Sequence, residues 1–329
     1  MTNKIVYNEK QTDIAMKYLN RGVIILESFN LQFLYCIMII AIGYGLKRSN
    51  FIKEKDGEGL SRLLFNLTLP CLLIVTFNGI TIQSSLFVLI IAGFVYGLII
   101  ASVGFLFFRK SPRKIKGMVR MMLPGLNIGL FAYPLVEVIF GHEGITYFAM
   151  FDVGNAFIIF GLSYFIASFY SEVEEVKLEA KTILVKMSKS VPLMTYLLVL
   201  ILSIIGIRLP QPIIDVSEII SKANMPLSLL LLGIFLTFTF EKSNLKLMGH
   251  YLIVRYVVAL AFGLVCYLLL PFNEMVRVTI VLGVLLPASV SVLTYSVEFK
   301  YDKRFVGTLS NLTMVISFLL LWGAANFLL

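Results

Sequence analysis

Long apolar stretches alternate with short polar ones along this chain, and ten of the apolar stretches approach the roughly 20 residues that a membrane-spanning helix needs. They cover 29–46, 59–80, 86–108, 117–140, 144–170, 191–208, 214–240, 247–270, 274–297 and 304–329. Little chain is left for a soluble domain, so the pattern predicts one all-α polytopic membrane unit. Two stretches are interrupted at matching places. The first reads Leu123-Pro124-Gly125-Leu126-Asn127-Ile128-Gly129 and reaches a second proline at Pro134. The second reads Leu286-Pro287-Ala288-Ser289-Val290-Ser291. Pro124 and Pro287 lie 163 positions apart in a chain of 329. Backbone groups freed inside hydrocarbon have no water to bond, so a broken helix persists only where it faces protein or a polar cavity. Corresponding breaks in two halves of a chain are a pointer to a solute-binding site.

The polar segments divide the chain into a polar N-terminal segment (1–28), a first group of five spans (29–170), a linker (171–190) and a second group of five (191–329). The halves share weak features in order. Span 2 carries Asn66 and Pro70 before an aliphatic run, and span 7 carries Asn224 and Pro226 before another. Span 1 ends Gly45-Leu46-Lys47 and span 6 ends Gly206-Ile207-Arg208, while spans 4 and 9 share the Leu-Pro break. Five is odd, so the second group enters from the opposite side, and the expected repeat is of inverted topology.

Composition agrees with the pattern: 59% of residues are hydrophobic, 14% are charged, and the mean hydropathy is +0.91. The net charge of +9 raises nucleic acid as a partner, but its placement points to the bilayer instead. Basic residues sit in alternate connections: Lys47, Arg48, Lys53, Lys55 and Arg62; Arg109, Lys110, Arg113, Lys114, Lys116 and Arg120; Lys177, Lys181, Lys186 and Lys189; Lys242 and Lys246; Lys300, Lys303 and Arg304. The intervening connections carry almost none. This is the positive-inside pattern of a multi-pass cell-membrane protein, and it places the linker in the cytoplasm and both termini outside it. Lys4, Lys10, Lys17 and Arg21 in the N-terminal segment dissent from that orientation. The segment does not resemble a cleaved signal, because the apolar run that follows is too long and lacks a small-residue cleavage site. Cys36, Cys71 and Cys266 lie inside apolar spans and read as small buried hydrophobes. His142 and His250 form no ligand cluster, so neither a metal nor a cofactor is expected.

Chemistry concentrates at the breaks. Pro124, Pro134 and Pro287 cannot donate a helix hydrogen bond and clash with the preceding turn. Gly125 and Gly129 loosen the backbone further. Asn127, Ser289, Ser291 and Thr294 offer neutral donors and acceptors near mid-span. Broken helices also direct half-helix N-termini, with their partial positive charge, into the membrane interior, where an anionic carboxylate is a natural guest. The competing reading is a pair of kinked, packed helices without a ligand. Asp152 is the acid well inside a span, at a cost of roughly 2.5–3.5 kcal/mol on insertion scales, with Asn155 three residues on along the same face. It is either a proton-exchange or substrate-positioning group or a structural carboxylic acid. Arg255 and Arg277 lie nearer span ends and read as snorkelling to the interface. Lys222 and Glu218 read as an i,i+4 ion pair, and Asn66, Asn224, Ser310 and Asn311 as helix–helix hydrogen-bonding groups.

The order of elements resembles the auxin efflux carrier family. The resemblance rests on Gly43-Tyr44-Gly45-Leu46-Lys47-Arg48, on Leu60-Ser61-Arg62 leading to Leu69-Pro70, and on Asn127-Ile128-Gly129 through Tyr133-Pro134-Leu135. It continues in Phe140-Gly141-His142-Glu143-Gly144 and Phe151-Asp152-Val153-Gly154-Asn155. Family members often have Pro at the place of Gly154 and an aliphatic residue or Gly near Ala132-Tyr133, and these departures bear on substrate. The resemblance implies ten helices in two inverted five-helix repeats, with broken helices 4 and 9 crossing near the midplane. It also implies carriage of small organic anions, either dicarboxylates, as in a bacterial malate or malonate permease, or auxin-like acids.

The expected activity is therefore secondary active transport of a small carboxylate by alternating access. The chain shows no Gly-rich nucleotide loop, so gradients must supply the energy. At 100 mV each elementary charge is worth about 2.3 kcal/mol, and electroneutral uptake of a monoanion takes about one proton or cation. Proton and sodium coupling both stay open, as does a homodimer. A cation/proton antiporter or a sodium-coupled symporter of related fold is the alternative in mechanism, and a channel or membrane sensor the alternative in class. An intramembrane enzyme would want His/Asp/Glu clusters at fixed spacing, which this chain lacks.

Overall fold

The computed structural model describes residues 30–78, 80, 83–172, 180–238 and 241–328. The polar segment 1–28 and residues 173–179 of the linker, with Glu174, Glu175, Lys177 and Glu179, lie outside the described residues. In chain order the helices are α1 (Asn30–Arg48) and α2 (Glu54–Phe77), α3 (Ser84–Phe107), α4 (Arg113–Met122), α5 (128–140) and α6 (142–170), and α7 (Ala180–Ser188). There follow α8 (Val191–Ile204), α9 (Gln211–Phe235), α10 (Leu245–Leu269), α11 (Glu274–Val284), α12 (Ser291–Glu298) and α13 (Lys303–Leu328). Among the described residues no strand forms; one isolated antiparallel bridge joins Leu126 and Ala288.

Seven tracts among the described residues are long and apolar enough to cross a membrane: α1, α2, α3, α5 joined to α6, α9, α10 and α13. The pair α7 and α8 meets the same criterion only together, bent by 74°. The joined α5–α6 tract of 43 residues would be about 65 Å long at 1.5 Å per residue, twice the hydrocarbon core of about 30 Å. It turns at Gly141, whose φ of 62° and ψ of −154° lie in a region that glycine alone enters without strain. Both predicted breaks are present, between α4 and α5 and between α11 and α12.

Among the described residues, three short stretches wind wider than an α-helix, with π geometry: Leu64–Thr68, Ile128–Ala132 and Ile158–Ser163. The first two have a physical cause in the sequence. A proline ring excludes the carbonyl four residues back; for Pro70 that is Asn66 and for Pro134 it is Leu130, each inside its widened turn. The third contains no proline.

The bundle holds together through close helix crossings. A Cβ on Gly43 of α1 would sit 2.2 Å from the Leu230 carbonyl oxygen, and one on Gly233 of α9 would sit 2.0 Å from that of Ile40. The same device joins α3 and α6 at Gly93 and Gly154. Small residues let backbones approach where lipid offers no hydrophobic drive for association. Of the polar residues predicted as helix-joining groups, two act as such: Thr68 donates to Asn224 Oδ1 at 3.1 Å, and Asn311 Nδ2 donates to the carbonyls of Phe235 at 3.1 Å and Thr237 at 2.6 Å, whereas Ser310 Oγ is buried without a partner and Asn66 is exposed. Lys222 pairs with Glu218 at 3.4 Å on the exposed face of α9.

Candidate functional site

The chain leaves helical geometry after Met122 and again after Val284, and the two freed segments run antiparallel past each other. The Asn127 N–H donates to the Pro287 carbonyl at 2.9 Å, and the Ser289 N–H donates to the Gly125 carbonyl at 3.1 Å. Each break thus supplies the backbone partners that the other lacks. Neighbouring helices clamp the pair. Asn155 of α6 accepts from the Leu126 N–H at 3.0 Å and donates to the Leu126 carbonyl at 3.0 Å. On the other side, Thr313 of α13 accepts from the Ala288 N–H at 3.1 Å and donates to the Ser310 carbonyl at 2.7 Å.

Two helix C-termini and two helix N-termini meet at this crossing. On the C-terminal side stands Arg255 of α10, fully buried at 0% exposure. Its Nη1 donates to the carbonyls of Leu123 at 2.8 Å and Met122 at 3.3 Å, and its Nη2 to that of Leu286 at 2.8 Å. Tyr251 also donates to the Met122 carbonyl, at 2.8 Å. The expectation that Arg255 snorkels to the interface is overturned: it sits near the middle of α10, and carbonyls freed by the breaks hold it inside. Arg277 is half-buried on α11 over the ring of Tyr267. Arg120, counted above among the basic residues of a connection, is buried on α4 and donates to Tyr170 at 2.5 Å and to the Phe105 carbonyl at 2.8 Å.

On the N-terminal side, α5 starts at Ile128 and α12 at Ser291. Asn127 Oδ1 accepts from the Leu130 N–H at 3.3 Å, and Ser289 Oγ accepts from the Ser291 N–H at 3.3 Å. The first N–H groups of a helix have no intrahelical partners. Both starts border one cavity of about 380 Å³, within the roughly 300–1,000 Å³ typical of small-molecule sites. Of the residues expected at the site, Asn127, Gly129, Ser289, Ser291, Thr294 and Asp152 line it, whereas Pro124, Pro134, Pro287 and Asn155 do not. The three prolines break or widen the helices around the cavity, and Asn155 clamps Leu126. All three widened turns contribute lining residues, among them Phe65, Asn66, Ile159 and Phe160.

Asp152 projects from α6 at the cavity's buried end. Its carboxylate accepts from Tyr196 of α8 at 2.5 Å, from Asn155 at 2.8 Å and from Tyr133 of α5 at 3.4 Å, and the two tyrosine hydroxyls also bond each other. Sequence reasoning missed Tyr196, which stands alone in an apolar run; Tyr133 was marked only as a departure from the family pattern. At the opposite end the cavity reaches exposed Lys186 and Lys189. There Lys186 pairs with Glu298 at 2.7 Å, which also accepts from Tyr164 at 2.8 Å. Among the described residues no group of His, Cys, Asp and Glu has metal-holding geometry.

A helical bundle with several apolar spans, whose two interrupted helices meet at a cavity with polar groups at its inner end, has the make-up of a membrane transport protein. The chain belongs to the auxin efflux carrier family: the family model described as membrane transport protein matches residues 29–323. It is 22% identical over 302 residues to an uncharacterized transporter of Methanocaldococcus jannaschii, covering 88% of this chain and 96% of that one. It is 23% identical over 214 residues to an uncharacterized transporter of Methanothermobacter thermautotrophicus, covering 63% of this chain and 68% of that one.

Proposed function

We propose that the chain is a secondary active carrier of small organic carboxylates, working by alternating access. One observation carries the reading: the N-termini of α5 and α12, joined through their breaks, border the same cavity as Asn127, Ser289 and Ser291. Each helix N-terminus is equivalent to about +0.5 elementary charge, so the two together match one carboxylate. The inner wall adds neutral hydrogen-bonding groups and one acid, Asp152, suited to carry a proton alongside the anion.

Ten spans in two inverted repeats is the architecture that accounts best for the contacts. Gly141 divides the long tract into two passes, α4 with α5 makes one broken pass, and α11 with α12 makes another. Corresponding helices then make corresponding contacts. Tyr96 of α3 donates to the Val284 carbonyl at 3.4 Å, as Tyr251 of α10 does to that of Met122. Asn155 of α6 clamps the first break as Thr313 of α13 clamps the second.

Purified protein in liposomes, loaded and challenged with mono- and dicarboxylates, tests the proposal. The expected result is saturable uptake accelerated by the same carboxylate on the far side. Flux that rises without saturation would make the protein a channel instead. Asn127→Ala and Asp152→Asn are each expected to lower saturable flux by about tenfold, the loss that about 1.4 kcal/mol of stabilisation gives, while leaving the protein folded in the membrane. Unaltered kinetics in both variants would remove the cavity as the transport site.

A further inference from the structure

We infer that Arg255 is the crossing's own cation: it occupies the place between two helix C-termini that an inorganic cation would otherwise hold, so carboxylate movement runs without sodium. The transport half of this inference rests on the carrier reading above; the occupancy half does not.

Backbone carbonyls at the C-terminal ends of interrupted helices are the groups that bind a coupling cation in other broken-helix carriers. Here three such carbonyls, of Met122, Leu123 and Leu286, converge on one guanidinium. The remaining polar contact is the Tyr251 hydroxyl, 3.4 Å from Nη1. No carboxylate among the described residues pairs with Arg255, which is unusual for a fully buried charge. The charge balance is closed by the backbone. Each helix C-terminus is equivalent to about −0.5 elementary charge, and two of them oppose one guanidinium with about −1. An added sodium ion would meet a site already neutral and already full. The two N-termini lie on the other side of the crossing, where the cavity is. Arg255 is thus a positioning residue: it joins the ends of α4 and α11 and leaves the positive ends of α5 and α12 for the anion.

Two measurements test this. In the first, the thermal midpoint of purified protein is followed without any carboxylate, in choline chloride, sodium chloride and millimolar guanidinium chloride. The wild-type midpoint is expected to be the same in all three. Arg255→Ala is expected to lower it by several degrees, with recovery in guanidinium and partial recovery in sodium but none in choline, and Arg255→Lys is expected to fall between. In the second, wild-type carboxylate flux is expected to be equal in sodium and choline media, and Arg255→Ala flux to fall about tenfold or more and to rise again with guanidinium. A wild-type midpoint that rises with sodium, or wild-type flux that collapses without it, would overturn the inference. So would an Arg255→Ala protein that behaves as wild type, or one whose lost midpoint responds to neither cation. If Arg255→Ala does not fold, Arg255→Lys and the wild-type sodium comparison still decide. A midpoint pattern as expected, with no saturable flux for any carboxylate, would sink the carrier reading and leave the cation assignment standing.

Discussion

Three donors of unequal quality meet at one carboxylate, and that inequality makes a prediction at the level of single atoms. Tyr196 lies 2.5 Å from Asp152 Oδ2 and lines the cavity, whereas Tyr133 lies 3.4 Å from the same oxygen. A hydrogen bond to a charged group contributes about 1.5–3 kcal/mol, and a contact near the distance limit contributes little. Tyr196→Phe is therefore expected to lower carboxylate flux by about tenfold or more, and Tyr133→Phe by much less. If Asp152 carries the proton, Asp152→Asn flattens the pH profile of flux, while Tyr196→Phe leaves a profile that is displaced but still present. Flux measured across a pH series for the three variants checks this. A profile in Asp152→Asn identical to wild type would remove the proton from Asp152, and equal losses for the two tyrosines would show that the bond lengths do not set their roles.

Helix against helix, close backbone approach is the feature most open to test. A Cβ on Gly154 would stand 2.0 Å from the Ile90 carbonyl oxygen and 2.9 Å from the Phe94 backbone nitrogen, atoms that cannot move without shifting α3. Gly154→Ala is expected to cost about 1–3 kcal/mol through forced overpacking, read as a lower thermal midpoint and a lower yield of folded protein. Gly249→Ala, where nothing lies within 4 Å, is expected to leave the midpoint unchanged or raise it, since alanine favours the helix by about 1 kcal/mol. The same contrast shows what the sequence could and could not disclose. Proline carries its effect locally, so the breaks at Pro124 and Pro287 and the widened turns before Pro70 and Pro134 leave a mark in the chain. The widened turn at Ile158–Ser163 contains no proline and leaves none. Arg255 was misread for a related reason: the groups that retain it are backbone carbonyls, identical in every residue, and only the fold shows which of them are free. Asp152 and Asn127 stood out as polar groups in apolar surroundings, but Tyr196 did not, because tyrosine is common in such spans and its partner lies 44 residues away on another helix.

Across the whole molecule, charge placement and cavity position together predict a sidedness. Basic connections contact one another or their flanking residues in pairs: Lys47 donates to the Leu236 carbonyl and to Thr237 Oγ1, each at 2.7 Å, Arg113 to the Phe169 carbonyl at 2.6 Å, and Lys186 pairs with Glu298; the charge pattern predicts that they share one face. By the positive-inside rule that face is expected to be cytoplasmic. The cavity runs from Asp152 to Lys186 and Lys189 on this face, so with that orientation this conformation would open the crossing toward the cytoplasm. The prediction uses a background lacking Cys36, Cys71 and Cys266, with single cysteines placed at exposed Pro271, at exposed Lys110 and at Ser289 in the cavity. A membrane-impermeant thiol reagent added to intact cells is expected to label position 271 and not 110. In inside-out vesicles it is expected to label 110 and 289, with a transported carboxylate protecting 289 alone. Labelling of 110 from outside would invert the orientation of the protein. Labelling of 289 from outside at the rate of 271 would mean that the cavity opens to the far side in the membrane. The Lys186–Glu298 pair bears on that outcome: it joins α7 to α12 at the mouth of the cavity. Glu298→Gln removes the attraction that holds α7 there, so the rate of labelling at 289 from the cytoplasmic side is expected to rise while labelling at 110 stays as it was.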